Sequence, residues 1–268
     1  DYATVSITDI NSGTTYPLLF DNVPETPSYY INHDLHPTPT KEYRLEVSAP
    51  DLPSIYAIDK LPDPPNYTIS NFKLLSHIDD AFESHLLKYD LCELSITIND
   101  NPNEKNYYRL SVIAQNEVPS AIEHGGENDN TKPCKYKVQD PIFLIPINKV
   151  RPSDNDYQGK HGFFTDELFN GQEKTFFIEV DKPEGSWSHM YVEIATYSEN
   201  LYQFVLTQKK QRQDVNNILF NSEPINLASN IEGGYGIFGA AGISRKTPIY
   251  DTANVILNVN LDAEWVDF

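Results

Sequence analysis

The chain is poor in the residues on which several kinds of chemistry depend. Its 268 residues include two cysteines, one methionine and two tryptophans, and 20 Lys and Arg stand against 39 Asp and Glu, a formal net charge of −19. A field of that sign repels phosphate backbones, which excludes nucleic acid as a partner. No stretch approaches about 18 consecutive apolar residues, so nothing in the sequence reads as a membrane-spanning helix. Catalytic signatures are missing too. There is no His-Glu-x-x-His, no Gly-x-Ser-x-Gly elbow and no phosphate-cradling loop ending in Lys-Ser/Thr, and neither cysteine has the surroundings of a nucleophile. The seven histidines are scattered, with no spacing that sets two ligands on one face. His33 and His36 lie in a Pro-rich loop, where solvated side chains are the simple reading. Acidic pairs are plentiful at this charge, but a hydrolase of the two-carboxylate kind needs a defined separation that sequence spacing does not supply. The residues therefore point to a non-catalytic protein without a cofactor, and a hydrolase is the weakest alternative.

Tyrosine (17 copies) and proline (19 copies) are what the chain has in quantity. Tyr, Thr, Val and Ile suit pleated, half-buried surfaces, whereas frequent prolines interrupt helices. The expectation is an all-β fold. Residues 1–65 alternate apolar and polar over five short segments: Tyr2–Thr8, Thr15–Phe20, Ser28–Asn32, Lys41–Val47 and Ser54–Lys60. That rhythm predicts a fibronectin- or immunoglobulin-like sandwich lacking its first strand, closed by the Pro62-Asp63-Pro64-Pro65 linker. The chain opens on a strand without Met or leader, and a trimmed or processed product is expected. Residues 66–268 read as a larger β-sandwich domain, with Leu91–Ile98 and Tyr107–Ala114 as its clearest strand pair. Asp80-Ala81-Phe82-Glu83 predicts a turn or two of helix. One short amphipathic helix starts after Ser198, with Leu201, Phe204 and Val205 on its apolar stripe and Lys209, Lys210 and Arg212 toward its end.

Several residues invite a functional reading beside a structural one. Cys92 and Cys134 are candidates for a disulfide whose chain-entropy effect is about 4 kcal/mol, or for two thiols. Asp154-Asn155-Asp156 offers the oxygen ligands that Ca²⁺ prefers, but the closing Glu of an EF-hand is missing, and a solvated turn explains Asp154 and Asp156 as well. No metal is otherwise expected. Tyr107, Tyr108 and Trp187 could stack on a ligand or anchor a partner, while adjacent tyrosines on a strand place one ring inward and one outward. Four of the twelve glycines fall in Gly233-Gly234-Tyr235-Gly236-Ile237-Phe238-Gly239, which is architecture or a contact surface.

Motifs along the chain add a resemblance. Phe164-Thr165-Asp166-Glu167-Leu168-Phe169-Asn170-Gly171 resembles an F-S/T-D-x-L-F-N-G signature, and Tyr197-Ser198-Glu199-Asn200-Leu201-Tyr202 the helix start that follows it. Glu223 to Gly239 resembles an E-P-V-x-(I/V)-x-S-N-I-x-G-G-x-G-I-F-G ending. Asn106–Leu110 and Tyr43–Val47 match the N-Y-Y-x-L and Y-x-L-x-V strands. In this order they resemble the Bacteroidetes surface-lipoprotein family catalogued as domain of unknown function 4249, from about residue 3 to residue 240. The resemblance implies an exported, outer-membrane lipoprotein at the cell surface, held by an N-terminal lipid anchor outside this chain. It also implies a role beside a TonB-dependent (SusC-like) transporter, as an accessory or ligand-capture subunit in nutrient uptake. A structural or adhesive surface subunit is the alternative. No catalytic residues come with the family. In the motifs, Phe164, Leu168 and Phe169 are expected to anchor a loop to the core, Asp166 and Asn170 to cap its turn, and Gly171 to permit a positive φ. Asn230, Tyr235 and Phe238 are the expected partner contacts. Gly233, Gly234, Gly236 and Gly239 are expected to pack against the helix or close the end of a sandwich.

Overall fold

A computed structural model describes residues 3–21, 28–78, 88–115, 131–134, 136–138, 140–143, 157–159, 161–181, 189–215, 226–250 and 256–261. The fold is all-β, with three antiparallel sheets and one α-helix among the described residues. The chain divides into two compact units, Asp1–Pro64 with Thr196–Gly242, and Pro65–Ala195 with Ile243–Phe268. The division after Pro64 falls within the proline-rich linker. The first unit also takes in 196–242, a stretch that local pattern assigns to the domain 66–268.

In the first unit the five expected segments become β1 (Thr4–Asp9), β2 (Thr15–Asp21), β3 (Tyr29–Ile31), β4 (Glu42–Ser48) and β5 (Ile55–Lys60). They form one sheet of order β3-β2-β1-β4-β5. The period-2 pattern decides the faces. Val5, Tyr43 and Ala57 are buried on one side, while Tyr56 and Ile58 stand exposed on the other. Asp9 closes the first hairpin by accepting the amides of Asn11 and Ser12; desolvation pushes its carboxyl up, but those amides, the Ser12 hydroxyl and the charge of Lys41 together hold it below the usual range. The helix α1 (Glu199–Val215) belongs to this unit. Ser198 caps it, with Oγ accepting from Leu201 N at 3.3 Å and its carbonyl accepting from Tyr202 N at 3.0 Å.

The second unit is a sandwich. One sheet contains β6 (Asn66–Ile78), β7 (Lys88–Asn99), β10 (Tyr136–Val138), β11 (Tyr157–Gly159) and β13 (Glu173–Asp181), in the order β11-β10-β13-β7-β6. The other runs β12-β8-β14-β15-β16, built from β8 (Tyr107–Gln115), β12 (His161–Thr165), β14 (His189–Tyr197), β15 (Ala241–Tyr250) and β16 (Ile256–Leu261). A short strand, β9 (Thr131–Pro133), pairs with β8. Inward residues of both sheets share one core, in which Leu94, Ile96, Phe176 and Ile178 face Leu110, Val112, Phe164 and Ile194. Phe143, Phe164 and Phe176 meet with ring centroids 4.8–5.9 Å apart, in the tilted and edge-to-face geometry that aromatic quadrupoles favour. Gly162 lets this cluster close: a Cβ there would stand 2.5 Å from Tyr136 Oη, which donates to Leu110 O.

On the other face of the second sheet, β14 carries a buried carboxylate. Glu193 pairs with Arg109 through Oε1 and with Arg245 through Oε2, the latter at 2.7 Å. These residues lie on neighbouring strands, so the sheet order itself places one anion between two cations. Cys134 is buried in the core. The side chain of Cys92, the helical turn expected at Asp80–Glu83, Asp154, Asp156 and Trp187 lie outside the described residues.

Candidate functional site

The glycine-rich run forms a closed loop seated on the edge of β5. Glu232 and Tyr56 exchange backbone hydrogen bonds, Glu232 N to Tyr56 O at 2.8 Å and Tyr56 N to Glu232 O at 3.3 Å. Asn230 draws the two ends of the loop together. Its Nδ2 donates to Phe238 O at 2.7 Å and its Oδ1 accepts from Phe238 N at 2.9 Å, so the side-chain amide stands in for a strand partner. The same Nδ2 lies 3.4 Å from Ile58 O on β5. Ser229 Oγ accepts from Ile231 N and Gly236 N, which fixes the turn from inside. Within this frame the chain takes φ values of +81° at Gly233 and +138° at Gly236, where a side chain would be strained. Gly234 sits against Ile231 and Ile55, with 3.3 and 3.4 Å available to a Cβ.

Everything that fixes the loop points inward, and one residue does not. Tyr235 is 99% exposed at the tip. A rigid loop that carries a fully solvated aromatic presents a large contact area at low ordering cost, which is what a binding anchor requires. Leu227, on the approach to the loop, is exposed as well. Phe238 is half-buried. Its backbone serves the Asn230 clamp.

At the other end of the run the loop is tied to the helix. A Cβ on Gly239 would lie 2.7 Å from Leu201 Cβ, so only glycine lets the loop pass over the first turn of α1. Ala240 O accepts from Ser198 N at 2.9 Å, and Ala240 N donates to Asp59 Oδ2 at 2.9 Å. Asn200 Nδ2 donates to the other oxygen of Asp59, also at 2.9 Å. One buried carboxylate on β5 therefore joins the helix N-terminus to the end of the glycine run. Burial pushes the Asp59 carboxyl above its ordinary range, and hydrogen bonds from Ser198, Asn200 and Ala240 oppose that shift only in part. Sequence reasoning missed Asp59. Its only signal was an inward register position, two residues after the buried Ala57.

The second motif is scaffolding. Phe164 and Phe169 are buried against Tyr108. Asp166 is buried and accepts from Asn106 N at 2.8 Å, while Thr165 rather than Asn170 caps the short turn by accepting from Glu167 N. Burial raises the Asp166 carboxyl, and the charge of Asp100 adds to that. Asp100 draws the loop together, accepting from Tyr108 Oη at 2.6 Å, Asn106 Nδ2 at 3.2 Å and Gly171 N at 2.7 Å. Gly171 has a φ of +70°, and a Cβ there would stand 2.6 Å from Pro102 Cβ. Two expectations need correcting. Leu168 is 57% exposed and anchors nothing in the core, because the turn directs it outward; Asn170 is exposed too.

The tyrosine pair alternates as expected, one ring on each face of the strand, but the outer ring is covered as well. Tyr107 and Tyr108 are 4% and 3% exposed, so neither ring is offered to a ligand. Tyr108 faces the sandwich core, and burial with the Asp100 contact raises its phenol. Tyr107, on the opposite face, has the Lys105 ammonium 5.4 Å from its ring centroid. The site therefore lies with Tyr235 and the residues that hold its loop. Among the described residues, no three His, Cys, Asp or Glu side chains converge as metal ligands. Nor is any helix there long and apolar enough to cross a membrane.

A family model described as domain of unknown function (DUF4249) matches residues 1–247. No curated protein matches the chain.

Proposed function

The chain belongs to the DUF4249 family, and on that premise we propose that it is a non-catalytic cell-surface lipoprotein, an accessory or ligand-capture subunit of a TonB-dependent outer-membrane transporter. The observation that carries this reading is the solvated ring of Tyr235 on a loop fixed by Ser229, Asn230 and Glu232. An aromatic held rigid and left bare contributes little to stability and much to association. The motif that marks the family is thus also the segment that builds a contact point. The net charge of −19 favours solubility and discourages binding to anionic surfaces.

The alternative is a structural or adhesive subunit assembled by strand pairing. Strand addition at β5 would have to displace the Tyr56–Glu232 bridge, so the loop protects that edge as well as presenting Tyr235. The test is a mild-detergent pull-down of the native protein from its membranes, with mass spectrometry of what stays bound. An outer-membrane β-barrel is expected with the natural chain, and its loss is expected with Tyr235→Ala at unchanged thermal midpoint. A protein that emerges alone at outer-membrane abundance sinks the transporter reading.

A further inference from the structure

We propose that the exposed face of the first unit's sheet holds a subsite for one neutral sugar ring, floored by Tyr56 and bordered by Arg44 and Glu46. The idea deepens the ligand-capture half of the function proposed above and rests on it. The register builds the site. Glu46 lies opposite Tyr56 on β5 and opposite Ser6 on β1, and Arg44 lies opposite Ile58. All of these side chains stand on the face turned away from Val5, Tyr43 and Ala57. Ser6, Arg44, Glu46 and Tyr56 line a shallow depression of about 240 Å³ together with Ser48 and Ser54.

Its electrostatics select against charge. The Arg44 guanidinium sits 4.6 Å from the centroid of the Tyr56 ring, and its Nη2 contacts Glu46 Oε1 at 2.8 Å. The ion pair is internally neutral and holds the tyrosine, which remains 40% exposed. An anionic ligand would have to compete with Glu46 for Arg44, against the field of a chain of charge −19. A purely apolar ligand would desolvate the arginine, the carboxylate and the serine hydroxyls without replacing their water. A sugar ring meets both demands. Its C–H face can lie on an aromatic ring, and its hydroxyls both donate and accept. They suit a rim where Glu46 has lone pairs to spare and Arg44 has N–H groups beyond the one given to Glu46. The volume falls below the range of about 300–1,000 Å³ usual for drug-sized ligands, which limits the subsite to one ring.

The test is saturation-transfer NMR on the whole chain with four probes: the methyl glycosides of glucose, galactose and mannose, and glucuronate. At least one neutral glycoside should receive saturation, with a Kd on the order of 1 mM for so shallow a site. Tyr56→Ala should weaken that glycoside at least tenfold, Tyr56→Phe should retain it, and Glu46→Gln should weaken it. The proposal is overturned if no neutral glycoside responds, if Tyr56→Ala responds like the natural chain, or if glucuronate is preferred. The sugar titration uses the purified chain alone and the pull-down uses native membranes, so a failed sugar titration and a failed transporter pull-down are separable outcomes.

Discussion

Ala240 donates its backbone N–H to Asp59 at 2.9 Å across 181 positions of sequence. With Asn200 on the second oxygen, this contact decides where the helix begins and where the glycine run ends. Asp59→Ala would take the acceptor from the Asn200 amide group and leave the Ala240 amide its longer bond to Ser198 Oγ, at 3.3 Å, in a part-buried setting. A loss of about 1–3 kcal/mol is expected from chemical denaturation, and a loss indistinguishable from zero would remove Asp59 from this role.

The same carboxylate makes a pH prediction. Its folded-state pKa is raised by burial, so the native protein holds the Asp59 proton more tightly than the unfolded chain. Between the ordinary carboxylate pKa and the raised one, stability must therefore fall as pH rises. Above that window the charged, desolvated form remains a constant burden. Subtracting the stability–pH curve of Asp59→Asn from that of the natural protein should expose the slope, and a difference that rises with pH instead would contradict the assignment.

Gly239→Ala sets a Cβ 2.7 Å from Leu201 Cβ, where the helix must yield. Overpacking of this kind costs about 1–3 kcal/mol. Gly13 provides the contrast, since its φ is also positive, at +74°, but no atom lies within 4 Å of an added Cβ. Gly13→Ala should cost only the backbone term of about 1–2 kcal/mol. Truncating Leu201 to Ala should not rescue Gly239→Ala, because the colliding Cβ remains; rescue would show that the clash is with the outer side chain.

Glu193→Ala removes the carboxylate that lies between Arg109 and Arg245. Removing one member of such a buried set costs about 3–5 kcal/mol, whereas replacing all three by apolar residues of similar volume is often neutral. Urea midpoints of the single and triple variants would separate the two cases. Equal losses would mean that the ions themselves stabilise the sheet.

Asn230→Ala should loosen the loop and leave the sheets unaffected. Hydrogen exchange at the Phe238 amide, now bonded to Asn230 Oδ1, should quicken markedly while β4 amides keep their protection. An unchanged Phe238 rate would place the loop's rigidity elsewhere.

Local pattern made much of this fold legible. Five strands in the first 65 residues, the Ser198 cap and the all-β class follow from period-2 alternation, N-cap chemistry and composition, all of which act over a few residues. The role of Asp59 did not follow, because a single acid at an inward register looks like any other until the residues it binds, far along the chain, are placed. Tyr107 and Tyr108 show the same limit. Alternation says that their rings face opposite ways, but whether the outer face is covered is a tertiary fact. Tyr235 was legible as a candidate because glycines around an aromatic mark a turn. Its exposure depends on Asn230 folding back to Phe238, which spacing alone does not reveal.

The return of Thr196–Gly242 to the first unit also governs the order in which the chain can finish folding. The acceptor Asp59 emerges from the ribosome early, but its donors Asn200 and Ala240 arrive only after most of the second unit's strands have been made. The first unit therefore cannot be completed until the chain has been made as far as residue 242. A truncated product ending near residue 65 would carry five strands with the edge of β5 bare, and is expected to aggregate more readily than the complete chain.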